Sequence, residues 1–130
     1  MKALQPSGWP RPKGYSNGTS AAGRIIATAG VIGWDESETI VAADLPGQLR
    51  QILRNTLAIL AEDGAGPENI VRMTWYVVDL DDYRTRLAEI GAIYREAMGR
   101  NFPAMAVVGV TGLVEPGAKL EIETLAVVPE

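Results

Sequence analysis

A mixed α+β fold, with two helices packed on one face of a single sheet, is what this sequence predicts. Three observations carry that reading. Two stretches repeat apolar residues at three- and four-residue spacing, at least four others are rich in β-branched residues, and the two kinds follow one another as β-β-α-β-α-β-β. The 130 residues form one domain, 1–130, large enough to bury about two-thirds of the unfolded chain's surface.

Taken in order, residues 1–14 are rich in Pro and Gly and carry Trp9, which suggests an extended arm docked on the body. Gly14-Tyr15-Ser16-Asn17-Gly18 is turn-prone, because Gly and Asn tolerate positive φ and Ser and Asn bond the local backbone. A short first strand is expected beside it. Arg24 to Ile32, RIIATAGVI, is the second strand, its small and β-branched residues predicting burial on both faces. Gly30 interrupts it, as a glycine does where a strand bulges or another group approaches the backbone.

Asp44 is placed to cap a helix running to about Asp63, with Leu45, Leu49, Ile52, Leu53, Leu57 and Leu60 on one stripe. Gly64 and Gly66-Pro67 stop it. Asn69 to Leu80 is the third strand. Asp81 or Asp82 then caps a second helix to about Met98, its stripe being Tyr83, Leu87, Ile90, Tyr94, Ala97 and Met98. From Asn101 to Val128, two apolar runs flanking Pro116-Gly117 read as a strand hairpin. A sheet covered on one side leaves its other face open, and Val107, Val108, Val110, Leu125 and Val127 supply more aliphatic surface than one helical layer covers. Oligomerisation through that face is expected.

Composition narrows the chemistry. The chain has no Cys and no His, so disulfides, thiolate nucleophiles, histidine triads and nearly every structural zinc site are excluded. Neither a metal nor a cofactor is expected. A net charge of −4 and a pI near 4.9 offer no basic footprint for nucleic acid. No apolar run approaches the ~20 residues of a membrane span, and the N-terminus lacks a signal peptide's apolar stretch. A cytoplasmic protein without a membrane partner is the expectation.

Side chains alternate across a sheet, so Glu121 and Glu123 share one face while Leu120, Ile122 and Thr124 share the other. Two same-face acids, once partly buried, raise the pKa of at least one and can hold or activate a water. The plain alternative is a charged edge strand that keeps the protein soluble. Tyr15 offers a hydroxyl from its glycine-bounded turn, or packs. Trp34 and Trp75 wall a small apolar pocket, or belong to the core. Arg72 binds an anion, or pairs with an acid. The glycines from Gly14 to Gly33 form no phosphate-binding fingerprint.

The ordered set GYSNG, RIIATAGVI, QILRNTLAIL with Gln48 and Asn55, ENIVRMTWYVVDLDDY, FPAMAVVGVTGL and KLEIETLAVV resembles the Rid (reactive intermediate deaminase, YjgF) family, from Tyr15 onward. That resemblance implies a chorismate-mutase-like fold assembled as a homotrimer, sheets forming an inner barrel, with ligand clefts between subunits. It implies hydrolysis of small-metabolite imines and enamines to a keto acid and ammonia without cofactor. Carried over by position, Glu121 holds the attacking water, Tyr15 lines the cleft, and Gly30 presents backbone to the ligand; Trp34, as a pocket wall, is a further candidate to touch the substrate.

Two positions depart from the family's deaminases. Met105 stands where they carry an arginine, in FPAR, that clamps the substrate carboxylate through two charge-assisted bonds. Val31 stands where many members have Gln. Both make the cleft more apolar, which implies a non-standard substrate, larger or ring-derived, with Arg24 or Arg72 as a substitute clamp. The competing implication is a trimer of the same fold that binds a small metabolite or a partner without catalysis.

Overall fold

The computed structural model describes residues 1–130 and places four strands in one sheet, in the order β3-β6-β4-β5. These are β3 (Arg24–Ala27), β4 (Ile70–Val77), β5 (Ala104–Gly109) and β6 (Leu120–Val128). A two-stranded ribbon precedes them, β1 (Lys2–Ala3) paired with β2 (Thr19–Ser20). β1 has no counterpart in the sequence reading, since two exposed residues carry no periodic signal.

The helices α1 (Leu45–Ala61), α2 (Leu80–Thr85) and α3 (Leu87–Met98) cover one face of the sheet. On α1 the predicted stripe is buried through Leu45, Leu49, Ile52, Leu53 and Leu60, while Leu57 is half-buried. It meets Met73, Trp75 and Val77 of β4 and Leu120, Ile122 and Ala126 of β6 in one cluster. Each such aliphatic side chain contributes roughly 1.5–3 kcal/mol by leaving water. Gln48 sits fully buried among them, and its amide donates to the carbonyls of Ala42 (3.0 Å) and Gly117 (2.9 Å) and accepts from the Lys119 amide (2.8 Å). One side chain thereby joins the loops before α1 and before β6.

Four expectations need correction. The stretch 101–128 is not a hairpin: β4 lies between β5 and β6, pairing parallel with β5 and antiparallel with β6. The parallel pair requires a crossover, which α2 and α3 provide. The second strand is not buried on both faces; it is an edge strand that ends at Ala27, with Ile25 72% exposed. The second helix is two, broken at Arg86 (φ −114), and its cap is Asp79, whose carboxylate accepts from the Asp82 amide at 3.0 Å. Finally, Val107 joins the helix-side core, while Val108, Leu125 and the half-buried Val127, which pairs with Ile25, stand on the open face.

The N-terminal arm is held at its base. Leu4 N–H donates to Gly18, Ser16 bonds the backbone of Phe102 and Pro103 next to β5, and the Thr19 hydroxyl donates to Val71. Trp9 itself remains 60% exposed. No closed barrel exists in the single chain, and no helix is long and apolar enough to cross a membrane.

Candidate functional site

Of the residues singled out from sequence, Tyr15, Gly30, Val31, Trp34, Trp75, Met105 and Glu121 fall into two cavities at opposite edges of the sheet. At the β3 edge, Gly30, Val31, Trp34 and Glu121 share a cavity of ≈ 560 Å³ with Asn55 of α1. At the β5 edge, Tyr15 and Met105 share one of ≈ 610 Å³ with Trp75, Tyr83 and Tyr94. Trp34 and Trp75 therefore wall different cavities, and Trp75, 2% exposed, belongs to the core as well, the other reading the sequence offered. With three strand spacings of about 4.8 Å between β3 and β5, the two edges stand roughly 14 Å apart.

The first cavity is built by a bulge. Ala27 pairs with Leu125 and Val31 with Ile122, so four steps along one strand match three along the other. The extra residue falls at 28–30, between the Thr28 N–H bond to Thr124 (2.9 Å) and the reciprocal bonds of Val31 and Ile122 (2.8 and 3.0 Å). It carries Gly30 against Glu121: a Cβ built on Gly30 would stand 2.3 Å from Glu121 Oε2. The glycine reading thus holds, and the group approaching the backbone is the predicted acid. The Gly30 amide donates to no protein group.

Glu121 and Glu123 share a face as periodicity requires, yet they differ in partners. Glu123 accepts a short hydrogen bond from Tyr76 of β4, and that bond leads the influences pushing the Tyr76 phenol above its ordinary value. Glu121 accepts no protein hydrogen bond and joins none of the four ion pairs. It is half-buried, with its lone pairs available. Around it, Asn55 donates to the carbonyl of Trp34 at 2.7 Å and accepts from Gln51 at 2.8 Å, fixing the loop that carries Trp34. Asp35 holds the next turn by accepting from Thr39 and Ser37, which lowers its carboxyl pKa.

The two cavities have opposite charge. Four carboxylates, Asp35, Glu36, Glu115 and Glu121, and no base line the first. Lys13 and Arg95, and no acid, line the second. Neither base was singled out from sequence; Gly91, four residues before Arg95 on the same helix, was the available signal. The arginines that were singled out lie elsewhere. Arg24 is bound to Asp63 at 2.9 Å, and Arg72 stands on the sheet's open face, lining neither cavity.

Aromatic side chains shape the second cavity. Trp75 packs edge-on against Tyr83, centroids 6.4 Å apart, and tilted against Tyr94 at 6.0 Å. Its indole N–H is buried without a partner. Leu87, predicted for the core stripe, is 55% exposed and faces this cavity; Ile93 takes its place inside.

Comparison with known proteins gives a consistent result. The profile of the family described as Endoribonuclease L-PSP matches residues 10–128. A RutC family protein of Synechocystis is 34% identical over 99% of this chain and 98% of its own length. The 2-iminobutanoate/2-iminopropanoate deaminase of Salmonella typhimurium is 37% identical over 81% of this chain and 80% of its own. Among solved structures, the Rid-family protein YyfB of Yersinia pestis superposes with a TM-score of 0.87 at 30% identity, covering 98% of each chain. The YjgF gene product of Escherichia coli does so at 0.70 and 34%, again over 98% of each.

Proposed function

The chain belongs to the Rid (YjgF, endoribonuclease L-PSP) family, and from that premise we propose that it hydrolyses or tautomerises a reactive imine or enamine in a cleft shared by two copies of the chain. The observation that carries this reading is the unpaired Glu121 carboxylate seated on Gly30, in an acidic cavity whose basic counterpart lies at the far edge of the same sheet. One small ligand cannot span roughly 14 Å of intervening strands. It meets both cavities when the β5 edge of one copy adjoins the β3 edge of the next. Such a head-to-tail contact closes into a ring where its rotation permits, and a homotrimer with the open sheet faces inside is the assembly proposed, burying Ile25, Val108, Leu125 and Val127.

In this cleft Glu121 accepts a proton from a water as its oxygen attacks the imine carbon. Glu121 returns that proton to the nitrogen to give the carbinolamine, then carries the carbinolamine's hydroxyl proton to the same nitrogen as the C–N bond breaks, so that ammonia leaves and the carbonyl product remains. A carboxylate beside the substrate also favours the protonated, more electrophilic iminium. The free Gly30 amide is a donor for the developing oxyanion, and the Tyr15 hydroxyl lines the cleft from the other copy. Met105 and Val31 add apolar surface, so a short imino acid lacks the guanidinium contact that the family's deaminases give its carboxylate.

The test is release of keto product and ammonia from freshly generated imines by the wild type and Glu121→Gln. Loss of about 10²–10⁴-fold is expected of a general base; equal rates would remove Glu121 from the mechanism. Mixing and refolding Glu121→Gln with Tyr15→Phe should restore part of the activity, since hybrid rings contain sites with both wild-type residues.

Met105 and Val31 favour a second reading, a binding trimer without turnover, because they keep a cavity's shape while removing polar chemistry. Metabolites that raise the melting temperature yet are not consumed would select it. Ribonuclease action, suggested by the family's name, fits less well with a net charge of −4 and a cleft half lined by four carboxylates.

A further inference from the structure

We propose that Arg95 is the anion anchor of the β5-edge cavity, and that the ligand is an amphipathic carboxylate whose aromatic or long aliphatic body lies between Met105 and the tyrosines. This rests on the reading that the cavity forms part of the site. Three observations lead to it. First, Arg95 makes no ion pair and no side-chain hydrogen bond, unlike Arg24, Arg84 and Arg86. A guanidinium presents five donors and no acceptor, and on a surface with sixteen acids an unengaged one in a cavity without carboxylates is available to a ligand.

Second, the helix gives it room. Gly91 lies one turn before Arg95, and a Cβ built there would stand 3.2 Å from Arg95 Nη1. Glycine inside a helix costs about 0.5–1 kcal/mol relative to alanine, and it lets the guanidinium fold back along α3, over the stretch where Ile90 and Leu87 line the cavity. Third, the one buried side-chain polar atom without a partner among the residues lining this cavity is also a donor. Trp75 is 2% exposed and its indole N–H, a donor only, has no partner. Lys13 adds a second cation. The cavity's two cations and its unpartnered indole N–H are all donors, which calls for a ligand rich in acceptor oxygens.

The size of the ligand follows from the walls. Met105 replaces a polar anchor with a flexible apolar side chain that adapts to irregular shapes, and Tyr83, Tyr94 and Leu87 extend the apolar lining toward α3. A two- or three-carbon side chain leaves these contacts unmade; an aryl or long alkyl group makes them while its carboxylate reaches Arg95.

The test is equilibrium binding by calorimetry, which needs no turnover and so is independent of the proposed hydrolysis. Phenylpyruvate, phenylacetamide and 2-oxobutanoate are the probes, against wild type, Arg95→Gln and Gly91→Ala. Phenylpyruvate should bind wild type at least about tenfold more tightly than either other probe, since both charge-assisted bonds and apolar contact are needed. Arg95→Gln should weaken phenylpyruvate about tenfold or more and leave phenylacetamide unchanged. Gly91→Ala, which favours helix, should keep the melting temperature and still weaken phenylpyruvate. Undiminished phenylpyruvate binding by Arg95→Gln, or 2-oxobutanoate binding as tightly as phenylpyruvate, overturns the proposal. If Arg95 anchors the ligand but Glu121→Gln retains full turnover, the catalytic reading alone falls.

Discussion

Replacing Gly30 by alanine separates catalysis from stability more cleanly than any other change at this site. The added Cβ would stand 2.3 Å from Glu121 Oε2, 2.7 Å from Cδ and 3.0 Å from Cγ. Carbon contacts settle near about 3.5 Å, so the carboxylate must retreat by roughly 1 Å. The backbone does not object, because Gly30 is not among the residues with positive φ. Alanine also lowers the unfolded chain's entropy, a gain of about 0.4–1 kcal/mol, against about 0.5–1.5 kcal/mol for an off-rotamer Glu121. Stability should therefore change by less than about 1 kcal/mol, and the melting temperature by a few degrees. A misplacement of about 1 Å in a reacting group costs on the order of 10²-fold, so kcat/KM should fall by that factor. Paired thermal melts and steady-state assays on Gly30→Ala, Glu121→Gln and the double variant decide it. If Gly30 acts through Glu121, the double variant matches Glu121→Gln, because the two effects are not independent. A Gly30→Ala enzyme with wild-type kcat/KM, where Glu121→Gln is inactive, would refute the idea that this glycine sets the carboxylate's position.

Two further outcomes concern the scaffold. Gln48→Leu removes three hydrogen bonds and strands the Lys119 amide and the Ala42 and Gly117 carbonyls; at about 1–3 kcal/mol for a buried group left unpaired, a net loss of about 2–4 kcal/mol should appear in urea unfolding. Alkaline titration tests Tyr94, whose phenol is pushed well above its ordinary value by burial. The folded pKa lies above the unfolded value near 10, so the stabilisation is complete below about pH 10 and is lost as pH rises toward the folded value. Each such group contributes at most about 1.4 kcal/mol per pH unit, and Tyr94→Phe should flatten the alkaline limb, leaving the slopes of Tyr83, raised by burial, and Tyr76, raised first by its bond to Glu123.

The helices were legible because apolar spacing is local: Leu45, Leu49, Ile52, Leu53 and Leu60 are buried as their spacing demands. So was the common face of Glu121 and Glu123, which period two alone fixes, and the close approach at Gly30. Strand adjacency was not legible. Pro116-Gly117 signals a turn, but nothing in an alternating strand names its partner, and β4 enters between the two runs because tertiary packing decides pairing. The division of the site into two edge cavities was hidden for the same reason, since it depends on the sheet order. An exposed arginine on a helix is ordinary, and Arg95 is distinguished only by its proximity to Gly91 and by the lack of carboxylates in the lining of its cavity.

The central place of β6 has a consequence for how the chain comes into being. β6 is the last strand in sequence, yet it pairs with both β3 and β4 and carries Glu121. During synthesis, which delivers about 5–20 residues per second, β3 waits without a ladder partner while α1, β4, α3 and β5 emerge. Until residues 120–128 arrive, the apolar side of α1 has only half a sheet to cover. The same strand that joins β3 to β4 thus also brings Glu121 to the bulge at Gly30, so sheet pairing and placement of the acid depend on one segment.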